Sequence, residues 1–292
     1  MGRFQALFLA LVISLIAFNQ NHVGANFSKS MYFTWGAQHS YFSADGENVQ
    51  LVLDKSSGIT ISAPGFSQKD RSSSAASKST CWILFDTIMA QLSSKGDRHD
   101  EIDFEFLGNV SGQPYIIHTN VYTEGKGNRE VQFHPWFNPT ADFHNYTIHW
   151  NPHEIVWFVD GLPIRVFRNY ELEGVPFPNK QGMMVYSSLW NADNWATRGG
   201  KDKIDWISSP FVAKFQRFRA RACKWDGPIS ISQCASISQA NWWTSQVYSK
   251  LSYAQMGQMK WVQDHYMIYD YCKDTTGRFY GKIPLECSKQ QF

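Results

Sequence analysis

The chain has 292 residues, enough for one large β domain or two ordinary ones with a sizeable core. Its 27 basic and 25 acidic side chains leave a net charge of +2 without any long basic run, which argues against nucleic acid or an anionic membrane as a partner. Aromatic residues make up 16% of the sequence, 12 of them Trp, a content that suits both sandwich cores and flat surfaces for stacking sugars.

Met1-Gly2-Arg3 opens the chain, followed by an apolar run from Ala6 to Phe18 and the small residues Val23-Gly24-Ala25. That run is too short to cross a bilayer and has the features of a secretory signal peptide, so cleavage is expected after Ala25 and export of the mature protein follows. The cysteines agree with an oxidising compartment: Cys223 and Cys234 close one short loop, Cys272 and Cys287 another, and Cys81 is left over. No C-x2-C pair or close His partner stands at zinc spacing. Sequons begin at Asn26, Asn109 and Asn145, and Asn109 is best placed for a glycan because the turn from Gly108 to Gly112 should expose it.

Trp35-Gly36 and the alternating Val49 to Leu53 are predicted strands, closed by a turn from Asp54 to Gly58. From Ile59 to Leu92 the pattern changes. A Ser-rich run from Ser72 to Ser79 leads to Phe85, Ile88, Met89 and Leu92, which recur at helical spacing. Strand alternation then returns at Glu101 to Leu107, Tyr115 to Tyr122 and Tyr146 to Trp150. Ile155 to Val159 meets Leu162 to Phe167 across Asp160-Gly161, a tight-hairpin signal, and Met183 to Trp190 and the basic Phe211 to Arg221 are further strands. Short strands at this density predict an all-β, two-sheet antiparallel sandwich. After Ala222 the composition shifts, and Trp242, Trp243, Val247 and Leu251, then Trp261 to Tyr269, predict a C-terminal extension containing a helix. The expected organisation is a signal peptide at 1–25, a β domain at 26–222 and a disulfide-stabilised extension at 223–292.

The chemistry centres on His99-Asp100-Glu101-Ile102-Asp103-Phe104-Glu105-Phe106. A strand repeats every two residues, so Glu101, Asp103 and Glu105 share one face and the apolar residues the other. A sheet gains nothing from like charges so close unless something uses them. Glycoside hydrolysis needs such a pair, one carboxylate as nucleophile or base and one as acid. Residues i and i+4 of a strand are roughly 13 Å apart at Cα, so Glu101 and Glu105 must lean together over Asp103. Asp103 is expected to hold Glu105 protonated through its charge and to orient Glu101. A hard cation on the trio is the lesser reading, since no Gly-punctuated calcium loop is present.

The run H-D-E-I-D-F-E-F-L-G-N-V-S at 99–111, with S-S-L-W-N-A-D-N-W-A-T-R-G-G at 187–200, resembles the plant xyloglucan endotransglucosylase/hydrolase family of glycoside hydrolase family 16. Leu51 to Gly58, Thr119-Asn120-Val121, Lys126 to Glu130 and the four-cysteine tail extend the likeness over most of the chain. The resemblance implies a β-jelly-roll fold and retaining chemistry on xyloglucan in the cell wall or apoplast, without a cofactor or metal, by a monomer whose partners are xyloglucan donor and acceptor chains. It further implies Glu101 as nucleophile, Glu105 as acid and base, Asp103 as the assisting residue and Asn109 as a glycan site. Sugar contacts carried over in the same way are His118, Thr119, Asn120, Asn128, Arg129, Glu130, Asn194, Trp195, Gly199 and Arg278. Trp190 is a further stacking candidate; core packing is the alternative for Trp190 and Trp195 alike. The link from Glu171 to Gln181 lacks a long insertion, which in this family leans toward transfer over hydrolysis. Family members usually carry Gln at position 118 and acidic residues at 128 and 194. At 59–92 they carry sheet strands with a Gly-Asn-Ser-Ala-Gly-Thr type segment that this chain lacks. A catalytically impaired wall-glucan-binding protein is therefore the alternative expectation.

Overall fold

A computed structural model describes residues 26–56, 59–67, 75–82, 87–108, 112–220 and 222–292. The signal segment and Asn109 lie outside the described residues. In chain order the strands are β1 (Tyr32–Trp35), β2 (Ser40–Phe42), β3 (Asn48–Leu53), β4 (Ile59–Ser67), β5 (Ala75–Trp82), β6 (Thr87–Ser93), β7 (Glu101–Leu107) and β8 (Ile116–Tyr122). They continue with β9 (Val131–Phe133), β10 (His144–Trp150), β11 (Glu154–Val159), β12 (Leu162–Arg168), β13 (Gly182–Trp190), β14 (Phe211–Arg219), β15 (Cys223–Lys224) and β16 (Met267–Asp270).

A nine-stranded sheet runs β1-β4-β13-β6-β7-β8-β9-β16, with β15 paired to the end of β4, and a seven-stranded sheet runs β12-β11-β10-β5-β14-β3-β2. Pairing is antiparallel throughout, and spatial neighbours are often distant in sequence, as in a jelly-roll sandwich. Inward-facing Leu51, Phe104, Phe133, Trp150, Trp157 and Phe211 are almost fully buried and form the core between the sheets. β11 and β12 turn at Asp160-Gly161 with φ of 49° and 81°, the left-handed pair that a two-residue hairpin requires.

The segment 59–92 departs from its local pattern. Where Ile88, Met89 and Leu92 suggest a helix, the chain is extended as β6, which fills the gap between β13 and β7, while β4 joins β1 to β13 and β5 joins β10 to β14. Pairing on both sides satisfies a strand's backbone groups, and this outweighs a weak 3.6-residue periodicity. The sheet therefore keeps the strands whose loss the missing family segment suggests.

The extension is built into the sandwich. Its helix, Tyr253–Tyr266, starts at a capping box in which Ser252 accepts from the Gln255 backbone and Gln255 reaches back to Ser252. Met259 and Val262 are its buried face, and Met259 packs with Val156 and Val166 on the outer side of the seven-stranded sheet, which explains why β11 and β12 are apolar on both faces. The upstream residues Trp242 and Trp243 lie in a 3-10 segment, Gln239–Thr244, instead of an α-helix, and the chain leaves the Tyr253–Tyr266 helix directly into β16, which pairs with β9. Cys272 and Cys287 are disulfide-bonded; Cys223 is also disulfide-bonded, but the Cys234 side chain expected as its partner lies outside the described residues. Arg129 Nε meets Glu286 Oε1 at 2.6 Å, both side chains almost fully buried, and this pair pins the tail to the loop between β8 and β9. Breaking one half of a buried ion pair leaves an uncompensated charge, so Arg129→Met should lower unfolding free energy by about 3–5 kcal/mol in urea titration, and a change below about 1 kcal/mol would show the pair to be solvated.

Candidate active site

β7 lies inside its sheet, between β6 and β8. Alternation sends Ile102, Phe104 and Phe106 into the core, where Phe104 and Phe106 meet the Tyr146 ring edge-on at 5.7 and 4.6 Å. The same alternation sends Glu101, Asp103 and Glu105 to the outer face, yet they are only 9%, 0% and 5% exposed. They are recessed among neighbours in register: Tyr122, Asn120 and His118 of β8 on one side, Ser93 and Gln91 of β6 on the other. From the opposite sheet Trp157 Nε1 donates to the Asp103 carbonyl at 2.9 Å, and the buried Arg165 guanidinium lies 4.7 Å from the Trp157 ring. Arg165 also donates to the carbonyls of Thr119 and Arg129, so the second sheet grips the strand and its neighbour from below.

Burial sets the electrostatics. Glu105 is pushed up to about 8, first by desolvation and then by the charges of Glu101 and Glu130. Asp103 is raised well above the carboxylate range by desolvation and then by Glu105 and Glu101. Asp103 and Glu105 thus oppose one another's ionisation, and Glu101 and Glu130 add their charges to the rise that burial causes in Glu105. Glu101 presses on the Asp103 titration, yet neither Asp103 oxygen reaches hydrogen-bond geometry with a partner, and Glu105 Oε2 and Glu130 Oε2 are likewise unpartnered. Buried polar atoms are rarely left so, and four such carboxyl oxygens gather around β7. His118 is lowered to about 3, mainly by burial and then by Arg165 and Arg278, so its 3.5 Å approach to Glu105 Oε1 joins two neutral groups.

The structure separates the expected sugar contacts. Trp190 and Trp195 are each 37% exposed with ring centroids 6.1 Å apart, so neither is core. Asn194 and Gly199 are exposed in the same loop; Gly200, beside them, packs its backbone on Asn194 so closely that a Cβ would lie 2.7 Å from the Asn194 carbonyl carbon. On the other side of β7, Arg278 reaches from the tail to Glu130 at 2.6 Å and Asn128 at 2.7 Å. Thr119 does not belong with them: it lies on the core face of β8, fully buried, giving its hydroxyl to the Val131 carbonyl. The Arg129 guanidinium is spent on Glu286, Thr123 and the Lys126 carbonyl. Asn120 faces the acids, but its Oδ1 holds the Arg129 and Val121 amides. His118 is buried against Glu105, where it has almost no surface for sugar.

Sequence reasoning missed Tyr122, whose phenol feels Asp103, Glu101, Glu105 and Glu130 and is held protonated by burial and by those charges. Its ring stacks with His99 at 5.3 Å and lies so close to Gly127 that a Cβ there would sit 2.5 Å from it, which accounts for the glycine of Lys126-Gly127-Asn128. The period of two along Tyr115 to Tyr122 puts Tyr122 on one face with His118 and Asn120. What it could not supply was the pairing with Glu101. Trp157 and Arg165 were also missed, since a Trp inside an apolar strand reads as core.

A β-sandwich whose central strand carries recessed, partly protonated carboxyl groups beside exposed indoles defines a class, the glycosidases that work from one sheet face. Residues 27–208 match the family model of glycosyl hydrolases family 16, and residues 238–287 match that of the xyloglucan endo-transglycosylase (XET) C-terminus. The chain belongs to glycosyl hydrolases family 16. It is 44% identical to xyloglucan endotransglucosylase/hydrolase protein 22 of Arabidopsis thaliana, covering 96% of each chain, and 43% identical to xyloglucan endotransglucosylase protein 7 of Diospyros kaki, covering 92% of this chain and 99% of the other. Among solved structures, a Bacillus licheniformis β-glucanase shares the fold at a TM-score of 0.52 and 20% identity, over 70% of this chain and 94% of that one.

A carboxyl whose folded pKa rises from 4.5 to about 8 contributes stability below the lower value that is lost as pH climbs through the higher one. Glu105→Gln should therefore remove part of the loss between pH 5 and pH 9, and thermal melts of the two proteins should diverge in favour of the variant at the alkaline end. Parallel curves would mean Glu105 ionises normally.

Proposed function

We propose that this protein cuts the β-1,4-glucan backbone of xyloglucan with retention and passes the cut chain to another xyloglucan, or to water, after secretion to the plant cell wall. The observation that carries this reading is Glu105 recessed on the same strand face as Glu101, only 5% exposed, with its pKa pushed up to about 8 first by burial and then by the charges of Glu101 and Glu130. An acid and a nucleophile need pKa values pushed apart, and here burial and Glu101 itself do the pushing. Glu105 gives its proton to the leaving glycosidic oxygen as Glu101 attacks the anomeric carbon, and a covalent glycosyl-enzyme forms. Glu105, now a carboxylate, takes the proton of the incoming hydroxyl, which attacks the same carbon and frees Glu101. Asp103, buried between them, has its own pKa raised by desolvation and then by the charges of Glu105 and Glu101, which couples it to both.

Acceptor sugars outcompete water only if they are bound, and the exposed Trp190 and Trp195 rings together with the Asn128-Glu130-Arg278 cluster offer stacking and hydrogen bonds on the two sides of β7. The relatives' names, the matching tail model and the signal segment support the substrate and the destination.

Incorporation of labelled xyloglucan oligosaccharide into polymer tests the reading. Glu101→Gln should abolish transfer and Glu105→Gln should reduce it by about 10²–10⁴-fold with the fold intact by circular dichroism. Transfer that survives Glu101→Gln, or folded wild-type protein that never transfers, contradicts it. Trp195→Ala should raise the acceptor KM by about 2- to 10-fold, in line with an aromatic contact of roughly 0.5–1.5 kcal/mol, and leave hydrolysis of the donor nearly unchanged.

A further inference from the structure

Three sequons lie in the sequence, and the proposed reaction uses none of them. Asn109 lies outside the described residues, but Asn26-Phe27-Ser28 and Asn145-Tyr146-Thr147 stand side by side for comparison. In both, the hydroxyl at the third position donates to the Asn carbonyl oxygen: Ser28 Oγ to Asn26 Oδ1 at 2.6 Å, and Thr147 Oγ1 to Asn145 Oδ1 at 3.0 Å. They differ at Nδ2, the atom to which a sugar is attached. Asn26 Nδ2 donates to the Asp45 carbonyl at 2.6 Å, and the Gly46 backbone packs on it so closely that a Cβ there would lie 2.6 Å from this nitrogen. Oδ1 of the same residue caps the short helix Phe27–Ser30. A sugar on Nδ2 would keep the turn at Asp45-Gly46 from closing on that helix.

Asn145 is placed otherwise, near the start of β10 and beside the Asp160-Gly161 hairpin. Tyr146, Ile148 and Trp150 are buried in the core, so the period of two turns Asn145 and Thr147 to the outer face of the seven-stranded sheet, where both are half-buried. The Asn145 backbone N–H donates to Asp160 Oδ1 at 2.7 Å, and its carbonyl accepts from the Asp160 N–H at 2.8 Å. These two bonds and the one from Thr147 use the backbone and Oδ1; none of the three uses Nδ2. The C-terminal extension covers the same outer face at His149, Val156 and Val166, through Tyr248 and Met259. His149 lies along β10 from Asn145 by roughly 13 Å at 3.3 Å per residue, so the covered area and the sequon occupy different parts of the face.

We propose that Asn145 carries an N-linked glycan in the exported protein, on the side of the sandwich opposite the acids, and that Asn26 stays bare. The inference rests on the export part of the proposed function and is independent of its chemistry. Nδ2 attacks the anomeric carbon of a lipid-linked oligosaccharide. The new C–N bond forms as the C–O bond to the lipid pyrophosphate breaks; the leaving pyrophosphate takes that electron pair, and one Nδ2 proton passes to solvent. Topology keeps the sequon open while this happens. β10 pairs with β5, whose other neighbour, β14, is the last strand of that sheet to be made. At roughly 5–20 residues per second the stretch from Asn145 to Phe211 takes seconds to synthesise, and pairings this distant in sequence form slowly.

Glycopeptide mass spectrometry of the full chain secreted by plant cells tests the proposal. The peptide spanning Asn145 should carry a glycan whose enzymatic release leaves position 145 deamidated, and the peptide containing Asn26 should be unmodified. Asn145→Gln and Thr147→Ala should each lower the intact mass by one glycan, whereas Thr147→Ser, which keeps the hydroxyl and the sequon, should retain it. Should a variant fail to fold and leave the cell, the wild-type glycopeptide decides alone. A bare Asn145 in secreted protein that has lost residues 1–25 overturns the proposal, most sharply if Asn109 is glycosylated in the same sample. A glycan on Asn26 overturns it too, because Nδ2 there would not be enclosed. Protein that stays in the cell with residues 1–25 attached contradicts the export reading instead, and the proposal falls with it.

Discussion

Three carboxyl groups on one face of one strand, almost without solvent, are the constraint to which the rest of the molecule answers. Desolvated carboxylates are costly, and a strand that carried three of them ionised would not pack. The cost is met by titration: burial raises the pKa of Asp103 and pushes that of Glu105 up to about 8. What makes the strand expensive to bury is thus also what equips it with an acid at neutral pH.

Holding that arrangement requires rigidity behind it. Ile102, Phe104 and Phe106 are locked into the core by the same period of two that turns the acids outward, with Tyr146 against the two rings. Trp157 and Arg165 reach across from the other sheet to the backbone of β7 and β8, and Arg129 carries the connection on to Glu286 in the tail. The extension is therefore a structural part of the site. Through Arg278 it also supplies one flank of the surface that runs past the acids.

Much of this was legible in the sequence because alternation is a local property. The acidic and apolar faces of Glu101 to Leu107, the Asp160-Gly161 hairpin and the sharing of a face by His118, Asn120 and Tyr122 needed only the spacing of the residues. The rest depended on partners. Ile88, Met89 and Leu92 look helical until β13 and β7 are placed on either side of them. Thr119 and Arg129 stand inside a family motif, and the motif alone does not say that the first points into the core and the second toward Glu286. Sequence spacing nominates Asp103 as the charge that bears on Glu105, and only the folded structure adds burial as the largest cause of the Glu105 shift and Glu130 as a further charge.

The division of labour between the two glutamates is tested most directly by trapping the intermediate. A 2-fluoro xyloglucan-oligosaccharide donor with a reactive leaving group forms the glycosyl-enzyme quickly and slows its breakdown, and peptide mass spectrometry then locates the sugar. The sugar should be found on Glu101, and its release should quicken when acceptor oligosaccharide is added. A label on Glu105 or elsewhere, or active enzyme that never acquires one, would contradict the assignment of nucleophile and acid on which the mechanism is built.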